Sequence, residues 1–306
     1  MKQFSKDTLS QRIAWDDLDK NYIQTLISQA LEEDLKGKGL KQVTHAPGDP
    51  SSEIFSNSII GHAQLLARED CVISGLPLIP LVLGVYGTDC SFQTDLIDGA
   101  WVHKGTTIGT LEGSAHTLLK AERIILNFIQ YLSGIATLTH QYSKRLHPSK
   151  TRLLDTRKTI PVYRMLSKYA FACGGGYNHR FGLFDRVMLK DNHLAIFSSS
   201  KAMHLKSAVE KIRTRHPDLP IEVEVDHLEQ IPIALEAEVD CILLDNFSIK
   251  ELTKAIDKIG DKACTEASGG IALNHLGDLK SLGLDFISTG APIHQSQWID
   301  IGLDWL

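Results

Sequence analysis

Six short apolar runs in the second half of the chain each stop at a polar or charged side chain: "RLLD", "RVMLK", "IEVEV", "CILLD", "ACTEAS" and "DFIST". The stops fall at or beside Asp155, Lys190, Glu224, Asp245, Ser268 and Thr289, and the last four are 21, 23 and 21 residues apart. Helical spacing fills the intervals, as in "SSKAMHLKSAVEKIRTR" and "SIKELTKAIDKIG". Strand, helix and strand at this rhythm make βα units with a parallel sheet. Six units in series predict an α/β barrel, possible in an incomplete form. The C-terminal ends of barrel strands share one rim, where active sites are built, so the six polar stops are expected to face a common site.

Charge is concentrated at the same place. Between positions 157 and 190 the chain carries Arg157, Lys158, Arg164, Lys168, Arg180, Arg186 and Lys190 against one acid, Asp185, although its formal net charge is -5. An acidic chain lacks the extended basic surface of a general nucleic-acid binder. A local cationic cluster on an acidic background predicts a pocket for a small anion.

The first half is organised differently. Residues 20–35 have helical periodicity that "KGKG" breaks, and 37–58 form a polar stretch rich in Gly and Pro, expected to be a long loop. Strands are expected in "HAQLLARED" and "CSFQTDLIDG". "DGAWVHKGTTIGTLEG" resembles half of a biotinyl or lipoyl carrier domain, but the Met-Lys-Met of a carrier is missing, so a structural β element is predicted. From Ser114, a candidate N-cap, "SAHTLLKAERIILNFIQYL" reads as a helix with an apolar face. Arg123 interrupts that helix, either snorkelling to solvent or reaching a ligand.

Five cysteines, odd in number and without a C-x-x-C pair, fit a reducing compartment better than a disulfide framework or zinc site. The polar N-terminus lacks a signal core, and "CVISGLPLIPLVLGVYG" is too short and too interrupted to span a bilayer. The expectation is a cytoplasmic protein with no membrane and no nucleic-acid partner.

Several constellations converge on the predicted rim. Arg157 and Lys158 in "DTRKT", His179 and Arg180 in "CGGGYNHRFGL", and Lys190 would repel one another unless anions join them. A guanidinium grips a carboxylate or phosphate through two charge-assisted hydrogen bonds, each contributing roughly 1.5 to 3 kcal/mol. The triple glycine is expected to let its loop fold tightly around a ligand. "EVEVD" alternates, so Glu222 and Glu224 point inward together and at least one should meet a cation, a metal or a sugar hydroxyl, or an internal Lys; Asp245 has the same ambiguity. Ser268, Gly269 and Gly270 in "EASGGI", with Ser288, Thr289 and Gly290 in "ISTGAP", close the last two βα turns, where barrels often bind phosphate.

These motifs, with "LKDNH", "LLDNF" and the upstream "AERIILNFIQYLSGIAT", occur in the order found in quinolinate phosphoribosyltransferases, and the chain resembles that family over roughly residues 60–295. The resemblance implies an N-terminal α/β sandwich-like domain over 1–130, joined by the segment 292–306, and an incomplete parallel α/β barrel of six or seven strands over 131–291. It implies phosphoribosyl transfer from phosphoribosyl pyrophosphate to quinolinate with decarboxylation, Mg2+ accompanying the diphosphate, and a homodimer with shared active sites or a hexamer built of such dimers. By the same resemblance, Arg123 of a neighbouring subunit, Arg157, His179 and Arg180 surround the quinolinate carboxylates, Lys158 and Lys190 hold substrate anions, and Thr156 also binds substrate. Glu224 and Asp245 meet the ribose hydroxyls or Mg2+, while Ser268–Gly270 and Ser288–Gly290 bind the 5-phosphate. Lys158, Lys190, Glu224 and Asp245 are the expected catalytic groups.

The chain departs from the family pattern twice. The family often has Gly after the Pro of "TRKTIP", where Val162 stands here, and "GDPSS" replaces a "GDIT"-like stretch near residue 48. The alternatives are a sister enzyme acting on nicotinate or another aromatic acid, and a non-catalytic phosphate-binding barrel. A monocarboxylate leaves one Arg unpaired, and a mere binder has no use for Glu224 and Asp245 opposite the cations.

Overall fold

The structure, a computed structural model, describes residues 4–56, 58–87, 89–190, 193 and 201–306. Its strands are, in chain order, β1 Ile60–Ala67, β2 Cys71–Val72, β3 Cys90–Gln93, β4 Trp101–Val102, β5 Thr107–Ser114, β6 Arg152–Leu154, β7 Val187–Leu189, β8 Ile221–Val225, β9 Cys241–Asp245, β10 Cys264–Ser268, β11 Phe286–Ser288 and β12 Ile301–Trp305. Contacts divide the chain into two units. One groups residues 13–138 with 296–306, the other 1–12 with 139–295. The sequence boundary at 130/131 and the contact boundary at 138/139 both fall inside the 32-residue helix Ala115–Leu146.

In the first unit, β12, β1, β5 and β3 form a four-stranded antiparallel sheet. Alternate residues of β1, among them Ala63, Leu65 and Ala67, are fully buried, as a strand of period two with one covered face requires. The helix Lys20–Lys36 starts at Asp19, whose carboxylate accepts the N–H groups of Asn21 and Tyr22, and stops at Gly37. On the helix Ala115–Leu146, Ile124, Ile125, Phe128 and Ile129 are buried while Arg123 is exposed. The loop after Gly37 carries one short 3-10 turn, Ser52–Ile54; residue 57 of the expected 37–58 loop lies outside the described residues.

The second unit holds the six parallel strands in the order β6-β11-β10-β9-β8-β7. Strands β7 to β11 follow one another in chain order and β6 pairs with β11, which is the cyclic order of an α/β barrel with the β6–β7 pairing missing. The result is an incomplete barrel, open between its first two strands. Strand ends expected from sequence fall within a residue of those observed, and β8 and β9 match at both ends.

The open edge is filled from elsewhere. Tyr177 bridges to Leu154 and Asn178 to Gln11, while Leu9 packs buried among Leu154, Cys241, Cys264 and Phe286. The triple glycine explains this path: the helix Arg164–Cys173 ends at Gly174, and a Cβ on Gly176 would lie 2.1 Å from Phe171 Cε1. Its glycines turn the chain into the barrel edge, a packing role rather than the ligand-wrapping one expected from sequence. Of the "LKDNH" motif, residues 191 and 192 lie outside the described residues, as do 194–200, which include the first two residues of the expected helical stretch "SSKAMHLKSAVEKIRTR".

Val162 adopts φ 62°, a left-handed conformation unfavourable for a β-branched residue, in the loop where the family often has Gly. That conformation costs about 1–2 kcal/mol, and the added chain entropy of glycine takes back about 0.5–1 kcal/mol. Val162→Gly is therefore expected to raise stability by up to about 1 kcal/mol, read as a higher urea midpoint; a lower midpoint would show that the Val side chain is held by contacts worth more than its strain.

Candidate active site

Parallel registration aligns the strand ends. Ser268 sits beside Asp245, Ser288 beside Leu154, and Glu224 beside Leu243. Their loops enclose a cavity of about 230 Å³ that brings together Thr156, Lys158, Ser268–Gly270 and Ser288–Gly290. Gly269 is demanded here: its φ is +94°, and a Cβ would approach Asn246 Oδ1 to 2.2 Å and Asn246 N to 2.7 Å. The Asn246 N–H donates to Ser268 O at 2.9 Å and its side chain donates to Asp245 Oδ2 at 2.8 Å, so one turn sets both the cavity wall and Asp245. Hydroxyls, a glycine-rich backbone and one ammonium are suited to a phosphate monoester.

Beside this cavity, Arg157 and Arg180 approach closely enough to repel. Burial first, and the Arg157 charge after it, lower the Arg180 pKa from its ordinary value. The Arg157 Nε is buried with no hydrogen-bond partner. Arg180 Nη1 donates to Arg186 O at 3.3 Å, and its Nη2 lies 3.5 Å from Met188 Sδ. Neither guanidinium makes an ion pair among the described residues. A buried donor left unmade is costly, so the Arg157 Nε is a group that an incoming acceptor would satisfy. Lys190 is already partnered: its ammonium forms a close ion pair with Glu224, the Glu-Lys arrangement that the sequence left open.

Asp155 departs from the expectation that all six polar stops face the ligand. It is fully buried, bonded to Lys168 Nζ at 2.5 Å, to Asn178 Nδ2 at 2.8 Å and to the His179 N–H at 2.9 Å. Lys168, also fully buried, donates to His179 O at 3.0 Å. Burial pushes the Asp155 pKa up and the Lys168 pKa down, against their mutual attraction. The pair anchors the Asn178–Arg180 segment because Tyr177, just before it, pairs alongside the end of β6.

His179 also points inward. Its Nε2 lies 3.2 Å from Glu222 Oε2 and 3.4 Å from Glu266 Oε1, while Arg186 Nη1 donates to the same Glu222 oxygen at 3.1 Å. All four residues are buried. Glu222 thus meets cations on the barrel axis while Glu224, two residues on, reaches the rim. Burial alone would push the Glu222 carboxyl up, but the hydrogen bond from the His179 Nε2–H and the Arg186 guanidinium outweigh it and bring it down to about 2. A depressed pKa gives stability that is complete above the unfolded value near 4.5 and disappears as pH falls toward 2, a loss of roughly 3 kcal/mol. Urea unfolding at pH 6 and pH 3 is therefore expected to show a steeper acid loss in the wild type than in Glu222→Gln; parallel losses would remove Glu222 from the acid response.

The three groups His179, Glu222 and Glu266 are close enough to suggest a metal centre. Their hydrogen bonding argues otherwise. His179 Nδ1 accepts the Arg180 N–H at 2.7 Å, so the ring proton resides on Nε2, the nitrogen a metal would need. The oxygen donors Glu224 and Asp245 at the rim are the hard type that suits Mg2+. A larger cavity, about 540 Å³, lies at the opposite end of β6, and three of its cations have internal partners: Arg12 on Gly175 O and Gly176 O, Arg152 on Asp7, Lys6 on Asp285.

Sequence reasoning missed Arg186, Glu266 and Lys168. Strand parity carries a signal for one of them, since Glu266 shares the inward side of β10 with Ser268, as Glu222 shares that of β8 with Glu224.

An open parallel α/β barrel, with a hydroxyl- and glycine-lined cavity at its C-terminal rim and two guanidinium groups beside it that make no ion pair among the described residues, has the chemistry of a site for anionic small molecules. The comparisons narrow the class. Residues 49–133 match the quinolinate phosphoribosyl transferase N-terminal domain and 135–304 its C-terminal domain, so the chain belongs to the quinolinate phosphoribosyl transferase family. It is 38% identical over 260 residues to a probable nicotinate-nucleotide pyrophosphorylase (carboxylating) of Synechocystis, covering 84% of this chain and 86% of that one. It is also 38% identical over 285 residues to the Mycobacterium leprae nicotinate-nucleotide pyrophosphorylase (carboxylating), with 91% and 95% covered. The nicotinate-nucleotide pyrophosphorylase structure from Francisella tularensis superposes with a TM-score of 0.86 at 32% identity, covering 97% of this chain and all of that one.

Proposed function

We propose that the chain transfers the phosphoribosyl group of phosphoribosyl pyrophosphate to quinolinate and releases pyrophosphate and carbon dioxide, leaving nicotinate mononucleotide for NAD biosynthesis. The observation that carries this reading is the Arg157–Arg180 pair, two guanidiniums that repel each other and make no ion pair among the described residues, next to the cavity that holds Lys158. A pyridine with two carboxylates supplies two anions to that pair, whereas nicotinate supplies one.

The residues then divide the work. Arg157 and Arg180 orient the ring so that its nitrogen faces the anomeric carbon, and Thr156 lies at the border with the phosphate cavity. Ser268–Gly270 and Ser288–Gly290 receive the 5-phosphate. Glu224 and Asp245 lie where ribose hydroxyls and developing positive charge would be stabilised, and Lys158 and Lys190 face the departing diphosphate. Mg2+, when bound with the diphosphate near Glu224 and Asp245, supplies further neutralisation of the leaving group. The ring nitrogen forms the new bond as the bond to pyrophosphate breaks. The resulting pyridinium accepts the electron pair of the bond that breaks as carbon dioxide leaves C2, and C2 then takes a proton from water. His179 contributes from below, through the backbone it holds.

The exposed Arg123 is read as the contribution of a partner subunit in a homodimer, and the compartment as the cytoplasm. Among the described residues no helix is long and apolar enough to cross a membrane. Mixing Arg123→Ala with Arg180→Ala subunits is expected to restore activity at a fraction of sites. Heterodimers that form without restored activity would place Arg123 outside the shared site.

The assay for the reaction is direct. Purified protein, Mg2+, phosphoribosyl pyrophosphate and quinolinate should yield nicotinate mononucleotide, pyrophosphate and carbon dioxide in equal amounts. Product from nicotinate alone would assign the chain to the sister activity.

A further inference from the structure

Glu266, at the middle of β10, is wholly buried, and neither of its carboxylate oxygens has a hydrogen-bond partner. Carboxylates are seldom kept in a protein interior without a task. Arg186 is stabilised by the Glu266 charge as well as by Glu222, but its Nη1 hydrogen bond goes to Glu222 alone of the two. A metal is disfavoured by the protonated Nε2 of His179. What remains is the imidazole itself: Glu266 Oε1 faces His179 Nε2 at 3.4 Å, on the same nitrogen that Glu222 Oε2 meets at 3.2 Å.

The other side of that ring gives the arrangement its meaning. A backbone N–H can only donate, so the 2.7 Å bond from the Arg180 N–H requires an unprotonated Nδ1. In the opposite tautomer, an Nδ1 proton would confront that N–H and force the peptide or the ring to move. Carboxylates gathered at Nε2 favour the tautomer that avoids this conflict, as the carboxylate of a hydrolytic triad orients its histidine. The backbone on the other side is already fixed, with the His179 N–H bonded to Asp155 and the His179 carbonyl to Lys168. The ring supplies the next bond along the chain, to the residue whose guanidinium faces the ligand.

We infer that Glu266 is a positioning residue for Arg180, acting through His179: it holds the ring as the Nε2–H tautomer, which leaves Nδ1 to accept and fix the Arg180 N–H. The inference deepens the reading of Arg180 as a carboxylate ligand and rests on it for its kinetic consequence.

The first test needs no variant and no activity. Nitrogen-15 NMR of the His179 ring in the full-length wild-type protein is expected to show an unprotonated Nδ1 and a protonated Nε2; a protonated Nδ1 in the resting protein overturns the inference. The second compares Glu266→Leu with Glu266→Gln. Gln keeps a partly negative oxygen facing Nε2, so this variant should keep the tautomer and a quinolinate KM within about threefold of wild type. Leu should give a mixed tautomer and raise the quinolinate KM at least tenfold, with the KM for phosphoribosyl pyrophosphate unchanged within twofold. Equal rises in both KM values, or a folded Leu variant with wild-type tautomer and KM, would overturn the positioning role. If the wild type fails to turn over quinolinate, the functional reading fails, and the ring nitrogens still decide whether Glu266 sets the tautomer.

Discussion

Arg157→Ala is expected to lower kcat/KM for quinolinate by about 10²-fold or more, because two charge-assisted bonds at roughly 1.5–3 kcal/mol each are removed from the bound ligand. The loss should exceed that from removing an exposed cation, since the Arg157 Nε is buried and has no protein partner to fall back on. The KM for phosphoribosyl pyrophosphate should change little, as the phosphate cavity is built from Lys158 and the two glycine turns rather than from Arg157. Steady-state kinetics with each substrate varied in turn checks the result. A comparable rise in both KM values would mean that the residue shapes the whole loop after β6 instead of gripping the acid.

The largest stability effect is expected at a residue that touches no ligand. Lys168→Met leaves Asp155 buried with its strongest partner gone, and breaking a buried pair from one side costs about 3–5 kcal/mol. Replacing both partners, as Lys168→Met with Asp155→Leu, should recover part of that loss, because no uncompensated charge remains. It should not recover activity, since Asp155 also accepts the His179 N–H and Lys168 donates to the His179 carbonyl. Urea unfolding of the two variants measures the first claim and product formation the second. A single variant within about 1 kcal/mol of wild type would show that the pair is not the anchor described here.

The difference between these two residues also marks the limit of what the sequence discloses. Arg157 was legible because strand periodicity placed it just past an apolar run and because its charge stood out locally. Glu224, Asp245, Ser268 and Thr289 were legible for the same reason, since alternation along a strand and a repeat of βα units are local properties. Asp155 ends its run in the same way and yet is buried, because the segment through Asn178 pairs beside β6 and bonds its carboxylate. That pairing depends on contacts more than 20 residues away in the chain. Leu9 is a further case: nothing in the polar N-terminal stretch marks it as a filler for the barrel edge, a place that exists only once β6 and β7 fail to pair. Glu266 could have been found by parity, but an inward acid in a short strand says nothing of the imidazole it will meet.

The central claim is that the Arg157–Arg180 pair selects a ligand with two carboxylates. Calorimetric titration of the wild-type protein with quinolinate and with nicotinate tests it most directly, before any chemistry. Quinolinate should bind at least about tenfold more tightly, the equivalent of one charge-assisted interaction of roughly 1.5 kcal/mol, and the preference should shrink severalfold in Arg157→Ala. Equal affinity for the two acids in the wild type would contradict the account.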